Sequence, residues 1–311
     1  MNKFRFGLNA VPAAPGHGEW VRLARTAENL GFSVLTVPDH LVDGCISPFA
    51  ALGVAAGATS TLRIGTLVLN NDLRHPALVA REILTLDSLS EGRVELGLGA
   101  GDGFPEYDSV GLAFDEAATR VARLAEAVEV LDALLRGDDT TFAGDHYRLN
   151  ADRAWPPPIQ VPRPPILVGG NGRRLLRLAA ERADIVGLSG TGRTKADGLT
   201  HEATGFPPEA VDERIAHVRT ASAGRDVELQ ALVQQVSVTD DPRGAAERVR
   251  DRVPELSIED ILATPYLWIG SVESICDDII AARERWGFSY FTVFQHSLDA
   301  ATPVVARLAG T

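Results

Sequence analysis

The chain has 311 residues, 45% of them hydrophobic and only 6% aromatic, with a formal charge of −12. That is ample length for a globular core, and the acidic balance argues against nucleic acid or an anionic membrane surface as the main partner. Two cysteines, Cys45 and Cys276, stand far apart with no CxxC spacing, which argues against a disulfide framework or a thiolate metal site.

The N-terminal run has no continuous apolar segment, and no stretch reaches membrane-spanning length, so a cytoplasmic location is expected. Of the 30 basic residues only Lys3 and Lys195 are lysines. Coding bias explains that choice, but it leaves a lysine-based mechanism almost without candidates.

Taken in chain order, short apolar runs at 4–9, 33–39, 62–69, 93–101, 164–170, 183–190, 227–238 and 290–294 predict strands. Most are near-continuous in Val, Ile and Leu, the pattern of parallel strands covered on both faces. Helical periodicity fills the gaps, for example over 20–32, 76–92, 120–137 and 271–288, and several of these runs stop at a glycine. The alternation predicts a (β/α)₈ TIM barrel, one domain over residues 1–311. A plain barrel needs about 250 residues. The surplus falls in insertions assigned to the βα loops, near 140–164 (a hairpin and a proline-rich passage), 190–209 (polar, aperiodic) and 251–268.

Barrel enzymes place their chemistry at the C-terminal ends of the strands. Those ends carry Asn9, Asp39 and His40, Asn70, Ala100 to Gly103, Gly169 to Gly172, Ser189 and Gly190, Gln234 and Gln235, and Gln295 and His296. No HxH or HExxH spacing points to a metal, so none is expected. Neither lysine stands at a strand end, as a Schiff-base aldolase would require. Asp39 and Asp102 could serve as a glycosidase carboxylate pair, but the next motif suits a phosphorylated cofactor better.

That motif is ILVGGNGRRLLRLAAERAD, a strand that runs through Gly169-Gly170-Asn171-Gly172 directly into an amphipathic helix. Glycines let backbone N–H groups approach an anion, and the helix N-terminus adds partial positive charge. A bare βα turn reads the same way locally; the position late in the barrel favours phosphate. GLGAGDG (97–103) is a poor dinucleotide fingerprint because Phe104-Pro105 follows it. Its small residues would let a flat ring lie against the strand end with Asp102 at the reacting edge. A tight turn capped by Asp102 is the alternative.

Together AENLGFSVLTVPDHL, RIGTLVLNNDLRHPALVAREILTLDSLSEGRVELGLGAG, GDHYRL and PPILVGGNGRRLLRLAAERADIVGL resemble the bacterial-luciferase-like flavin and deazaflavin oxidoreductases, most closely their coenzyme F420-dependent branch. The resemblance covers most of residues 1–190 and implies a homodimer. It places Asp39 at the polar edge of the deazaflavin ring and His40 near its hydride-bearing face. It puts a cis peptide at Leu67–Val68 behind the ring and Asn70 against it, and makes Asp102, after Ala100 and Gly101, a candidate acid. Gly169, Gly170, Asn171 and Gly172 then match the cofactor phosphate loop, with Ser189 and Gly190 as a further contact.

Relatives that oxidise sugar phosphates use lysines for the phosphate, and no good candidates are expected here. Phe104, Trp155, Tyr266 and Trp268 would instead line a pocket for an uncharged organic substrate, shaped by the 140–164 and 190–209 insertions, with plain packing the alternative for at least two of the four. The implied reaction is hydride transfer from reduced F420 to an activated C=C, C=N or C=O bond, with His40 or Asp102 handling the proton. An FMN-dependent monooxygenase and a non-catalytic flavin- or deazaflavin-binding protein are the alternatives.

Overall fold

The computed structural model describes residues 2–11, 15–41, 44–151, 155–195, 197–198 and 200–311. Eight parallel strands close into a barrel. They are β1 (Arg5–Asn9), β2 (Val34–Val37), β3 (Arg63–Thr66), β4 (Val94–Gly99), β5 (Ile166–Gly169), β6 (Ile185–Leu188), β7 (Glu228–Val233) and β8 (Phe288–Phe294). β8 returns to β1 with Gly7 opposite Thr292, and β3 meets β4 with Gly65 opposite Glu95, so the barrel has no open edge. β2, β4 and β6 are buried at every position, because helices cover the outside and side chains fill the inside. Helix Ala117–Arg136 shows the helical logic: Leu124, Val128, Leu131 and Leu135 recur at three- and four-residue spacing and are buried against the core.

Three features depart from the expected layout. Residues 227–238 are not one strand: β7 ends at Val233, and Gln235–Val238 leaves the barrel to pair in parallel with Leu267–Gly270. The 140–164 insertion does contain a hairpin, Thr140–Ala143 with Arg148–Ala151. It follows helix Ala117–Arg136 and precedes β5, however, so it stands on the αβ side rather than in a βα loop. Much of 251–268 is regular, with helix Ile258–Ala263 started by a Ser257/Asp260 capping box.

The barrel interior is layered. At the N-terminal end, Arg5 Nη1 donates to Glu95 Oε1 at 2.7 Å, Arg63 also donates to Glu95, and Arg5 Nη2 reaches Glu228 Oε2 at 3.0 Å. The Arg5 guanidinium lies 4.3 Å from the Tyr290 ring centre. Burial alone would raise the Glu95 carboxyl, but the two guanidiniums outweigh it and hold the group below its usual range. Above this cluster Val34, Leu67, Leu167, Ile185 and Tyr290 form an apolar layer.

Removing Glu95 leaves two part-buried guanidiniums without their shared anion. Glu95→Ala is expected to cost about 3–5 kcal/mol, read from denaturant unfolding; a loss below about 1 kcal/mol would mean the cluster is dispensable. Because its folded-state pKa is lowered, the Glu95 contribution is complete above the ordinary carboxylate range. It is lost as pH falls through the lowered value.

Candidate active site

Above the apolar layer the barrel stops being filled. A cavity of about 1340 Å³ opens at the C-terminal strand ends and receives residues from β2 to β8. Its floor is nearly free of side chains. Gly169 stands opposite Gly187, and Gly187 opposite Gln230, on adjacent strands. β3 explains part of the emptiness: its pairing with β4 slips by one residue, from Gly65↔Glu95 to Leu69↔Leu98, around a cis Leu67–Val68 bond. Val68 is thereby pushed inward, and a Cβ on Gly99 would stand 2.6 Å from its Cγ2, a Cβ on Gly169 3.0 Å from its Cγ1. The glycines of GLGAG therefore admit Val68 first; a flat ring would then lie against Val68.

Asp39 ends β2 and is buried, with its carboxylate bound to both terminal nitrogens of Arg74 and to the backbone N–H of Asn70 at 3.2 Å. It ties the β2 end to the bent end of β3. The Asn70 side chain is fixed in turn: its Oδ1 accepts from the Tyr107 hydroxyl at 2.9 Å and from Asp72 N–H at 3.0 Å. His40 points the other way, half exposed, with Nδ1 2.8 Å from Glu106 Oε1. The other Glu106 oxygen accepts from Leu41 N–H at 2.7 Å. With Nδ1 donating to that buried carboxylate, Nε2 is the imidazole nitrogen left for chemistry. Glu106 escaped the sequence reading. Its signal was a carboxylate in the first turn of a short helix, Phe104–Ser109, directly after the strand-four glycines.

Asp102 lines the cavity and is held there by two residues of the 190–209 insertion. Thr194 Oγ1 donates to its Oδ1 at 2.8 Å, and His201 Nε2 bonds to its Oδ2. Burial acts to raise Asp102, yet these hydrogen bonds bring its pKa down to about 2. An ionised Asp102 can accept a proton but not deliver one. Its hydrogen bond raises His201 above the ordinary imidazole value, against the cost of burial. His201 and Thr194 both belong to the 190–209 insertion and form an isolated β-bridge with each other; one isolated histidine in a polar loop gave no cue.

On the opposite wall, Gly169 to Gly172 turn into helix Arg173–Arg182, and the turn lines the cavity. Gly170 has φ of 154°, and a Cβ there would collide with Leu175, so only glycine fits. Asn171 braces the turn: its Nδ2 donates to Ser189 Oγ at 2.7 Å and Thr191 Oγ1 at 2.9 Å, and its Oδ1 accepts from Ser189 N–H at 3.2 Å. Arg214 also reaches Asn171 and the Thr191 carbonyl. Burial pushes the Arg214 pKa down, and no carboxylate among the described residues pairs with it. Arg173, Arg174, Arg193 and Lys195 line the same cavity, none in an ion pair among the described residues. The expectation that no lysine is placed to meet a substrate anion therefore falls at Lys195.

Asp39, His40, Leu67, Val68, Asn70, Ala100, Gly101, Asp102, Phe104, Gly169 to Gly172 and Ser189 all line the cavity. Four expected residues do not. Gly190 turns its Cα against the Tyr266 ring. Tyr266 is fully buried between Phe206 and Phe288. Trp268 packs on Phe6 and Phe291, residues on the outward faces of β1 and β8, because the segment that carries it lies behind the barrel wall. Trp155 packs against the main hydrophobic core. The cavity's aromatic residues are instead Phe104, Phe114 and Phe294. The 190–209 insertion lines the cavity through Thr191 to Lys195, Asp197, Gly198, His201, Glu202 and Thr204; the described residues of 140–164 do not.

A parallel barrel with a glycine-rich turn and an open upper end defines a class, and sequence comparison gives it a family. The chain belongs to the luciferase-like monooxygenase family, whose pattern matches residues 4–264. Over 187 residues it is 35% identical to a Nakamurella multipartita protein named F420-dependent glucose-6-phosphate dehydrogenase, covering 58% of this chain and 54% of that one. A Microbacterium testaceum protein of the same name is 34% identical over 187 residues, 58% of this chain and 55% of its own length. The chain thus spans about half the length of the curated relatives it matches. The coenzyme F420-dependent tetrahydromethanopterin reductase of Methanopyrus kandleri shares the fold, with a TM-score of 0.77 over 99% of each chain at 19% identity. The TIM barrel read from the sequence is borne out.

The Asp102–His201 contact carries opposite charges from about pH 2 up to the raised His201 pKa and loses its charge as pH rises through that value. Asp102→Asn should return His201 toward an ordinary imidazole pKa, followed by its ring-proton chemical shifts. A titration indistinguishable from that of the unaltered chain would show that the pair does not form.

Proposed function

We propose that the protein is a coenzyme F420-dependent oxidoreductase that transfers a hydride between the deazaflavin and a small organic molecule, reducing an activated C=C, C=N or C=O bond. The observation that carries this reading is the Asn171-braced glycine turn with the uncompensated Arg214 beside it. A half-buried guanidinium with a lowered pKa regains its missing stabilisation when an anion binds, and the turn offers backbone N–H groups at a helix N-terminus for the same anion. The residues fit the cofactor: the turn and Arg214 for its phosphate, the strip of Gly169 and Gly187 beside Val68 for its flat ring. The names of the two bacterial relatives support F420 as its identity.

When bound, the deazaflavin supplies or accepts two electrons as a hydride. The chain's own residues supply the rest. Asp39, neutralised by Arg74, fixes the bent end of β3 that holds Val68 and Asn70 in the cavity. His40, oriented through Nδ1 by Glu106, exchanges the accompanying proton at Nε2. Asp102 holds His201 of the insertion against the cavity wall, and the 190–209 insertion limits access of water. Phe104, Phe114 and Phe294 suit an apolar substrate skeleton, while Arg193 and Lys195 leave a place for an anionic substituent.

A homodimer in a reducing cytoplasm is part of the same proposal. Helix Pro48–Ala58 contains no charged residue, Val54, Leu78 and Leu89 are exposed on it and on helix Pro76–Leu89, and both cysteines are free. Among the described residues no helix is long and apolar enough to cross a membrane.

Titration with F420 and with FMN, followed by quenching of tryptophan fluorescence, tests the cofactor. F420 is expected to bind; FMN binding in its place would point to monooxygenation, and tight binding without turnover of enones and imines to a carrier. Gly170→Val should weaken cofactor binding at least tenfold, about 1.4 kcal/mol or more, and an unaltered affinity would remove the anion-turn assignment. His40→Ala should lower kcat by about 10²- to 10⁴-fold while cofactor affinity holds. A rate that stays put takes His40 out of the chemistry.

A further inference from the structure

Gln230 is the third residue of β7 and faces the barrel interior between Glu228 below and Leu232 above. It is 1% exposed, it lines the cavity, and its Nε2 has no hydrogen-bond partner among the described residues. Buried amide groups almost always find partners, because the water they give up must be replaced. An orphan amide at the wall of a cavity therefore marks a place where a ligand supplies the partner.

Its surroundings narrow the ligand's shape. In register, Gln230 stands opposite Gly187 on β6, and Gly187 opposite Gly169 on β5. A Cβ on Gly187 would lie 3.1 Å from Gln230 Oε1, and one on Gly169 3.0 Å from Val68 Cγ1. Gly169 and Gly187 thus leave the floor low beside Leu167, with Val68 over Gly169 and the Gln230 carboxamide over Gly187. Strands lie about 4.8 Å apart, so Gly169 to Gln230 spans roughly 10 Å, room for the edge of a planar ring. Of the side chains that bound it, Val68 and Leu167 are apolar and Gln230 offers hydrogen bonds.

We propose that Gln230 binds the imide edge of the flat ring, donating from Nε2 to a ring carbonyl and accepting at Oε1 from the adjacent ring N–H. A carboxamide presents one donor and one acceptor side by side, and an imide edge presents the complementary pair. This assignment rests on the reading of the cavity as a deazaflavin or flavin site, and it moves the ring's polar edge from Asp39, whose carboxylate is taken by Arg74 and the Asn70 N–H, to the wall that carries Gln230.

The test uses the whole chain and two probes, F420 and the phosphate-free deazaflavin riboside, each titrated by fluorescence quenching. Gln230→Leu should bind both probes about 5- to 100-fold more weakly. Gly170→Val should weaken F420 alone, because the riboside has no phosphate. Without ligand, Gln230→Leu should melt at the same temperature as the parent chain or higher, since it removes an unsatisfied buried amide, whereas its ligand-induced rise in Tm should shrink. Gln230→Met provides a second apolar variant if the first folds poorly. Unchanged affinity for both probes in a folded variant overturns the Gln230 assignment alone, and so does a loss confined to F420. A parent chain that binds neither F420 nor FMN overturns the cofactor reading and this inference together.

Discussion

Glu95 is a buried carboxylate shared by two guanidiniums, and the barrel's division into a closed end and an open end depends on it. Arg5 comes from β1 and Arg63 from β3, and Arg5 reaches on to Glu228 on β7, so one anion ties together strands from around the circumference. A desolvated charge is tolerable only where partners meet it from several sides, and β1 and β3 supply them. With the N-terminal end held by this cluster and the next layer filled by aliphatic side chains, the C-terminal end can be left empty. The glycines of β4, β5 and β6 would weaken any barrel whose stability came evenly from all its layers.

The emptied end is electrically divided. One wall carries two carboxylates that each engage a histidine, Glu106 with His40 and Asp102 with His201. The other carries the glycine turn and a group of cations without ionic partners among the described residues, in a chain whose total charge is −12. On the function proposed above, an anionic cofactor would be drawn to one side and proton exchange confined to the other. The insertion after β6 bridges the two, since it contributes both the cations near the turn and the histidine that grips Asp102.

Sequence made the barrel legible because parallel strands covered on both faces are near-continuously apolar, and eight of them alternate with helices. It also placed most cavity residues, since barrel geometry sends strand ends to one side. It failed where the outcome depends on a three-dimensional turn of the chain. The run 227–238 looks continuous, but the strand leaves the barrel at Gln234, which carries Tyr266 and Trp268 behind the wall with its new partner strand. Asp102 was readable as a carboxylate but not as an ionised one, because the groups that set its charge lie in an aperiodic loop about a hundred residues away. Glu106 and Gln230 were missed for different reasons. The first hides in a helix of six residues; the second sits mid-strand, below the ends where functional residues were sought.

Lysine scarcity acquires a practical meaning once Lys195 is placed in the cavity lining. Apart from the terminal amine, the chain offers an acylating reagent only Lys3, near its start, and Lys195. Amine-directed chemistry, indiscriminate on most proteins, becomes here a nearly site-directed handle at the mouth of the cavity. A reporter attached there would sit beside the insertion that grips Asp102, at the place where occupancy of the cavity alters its surroundings.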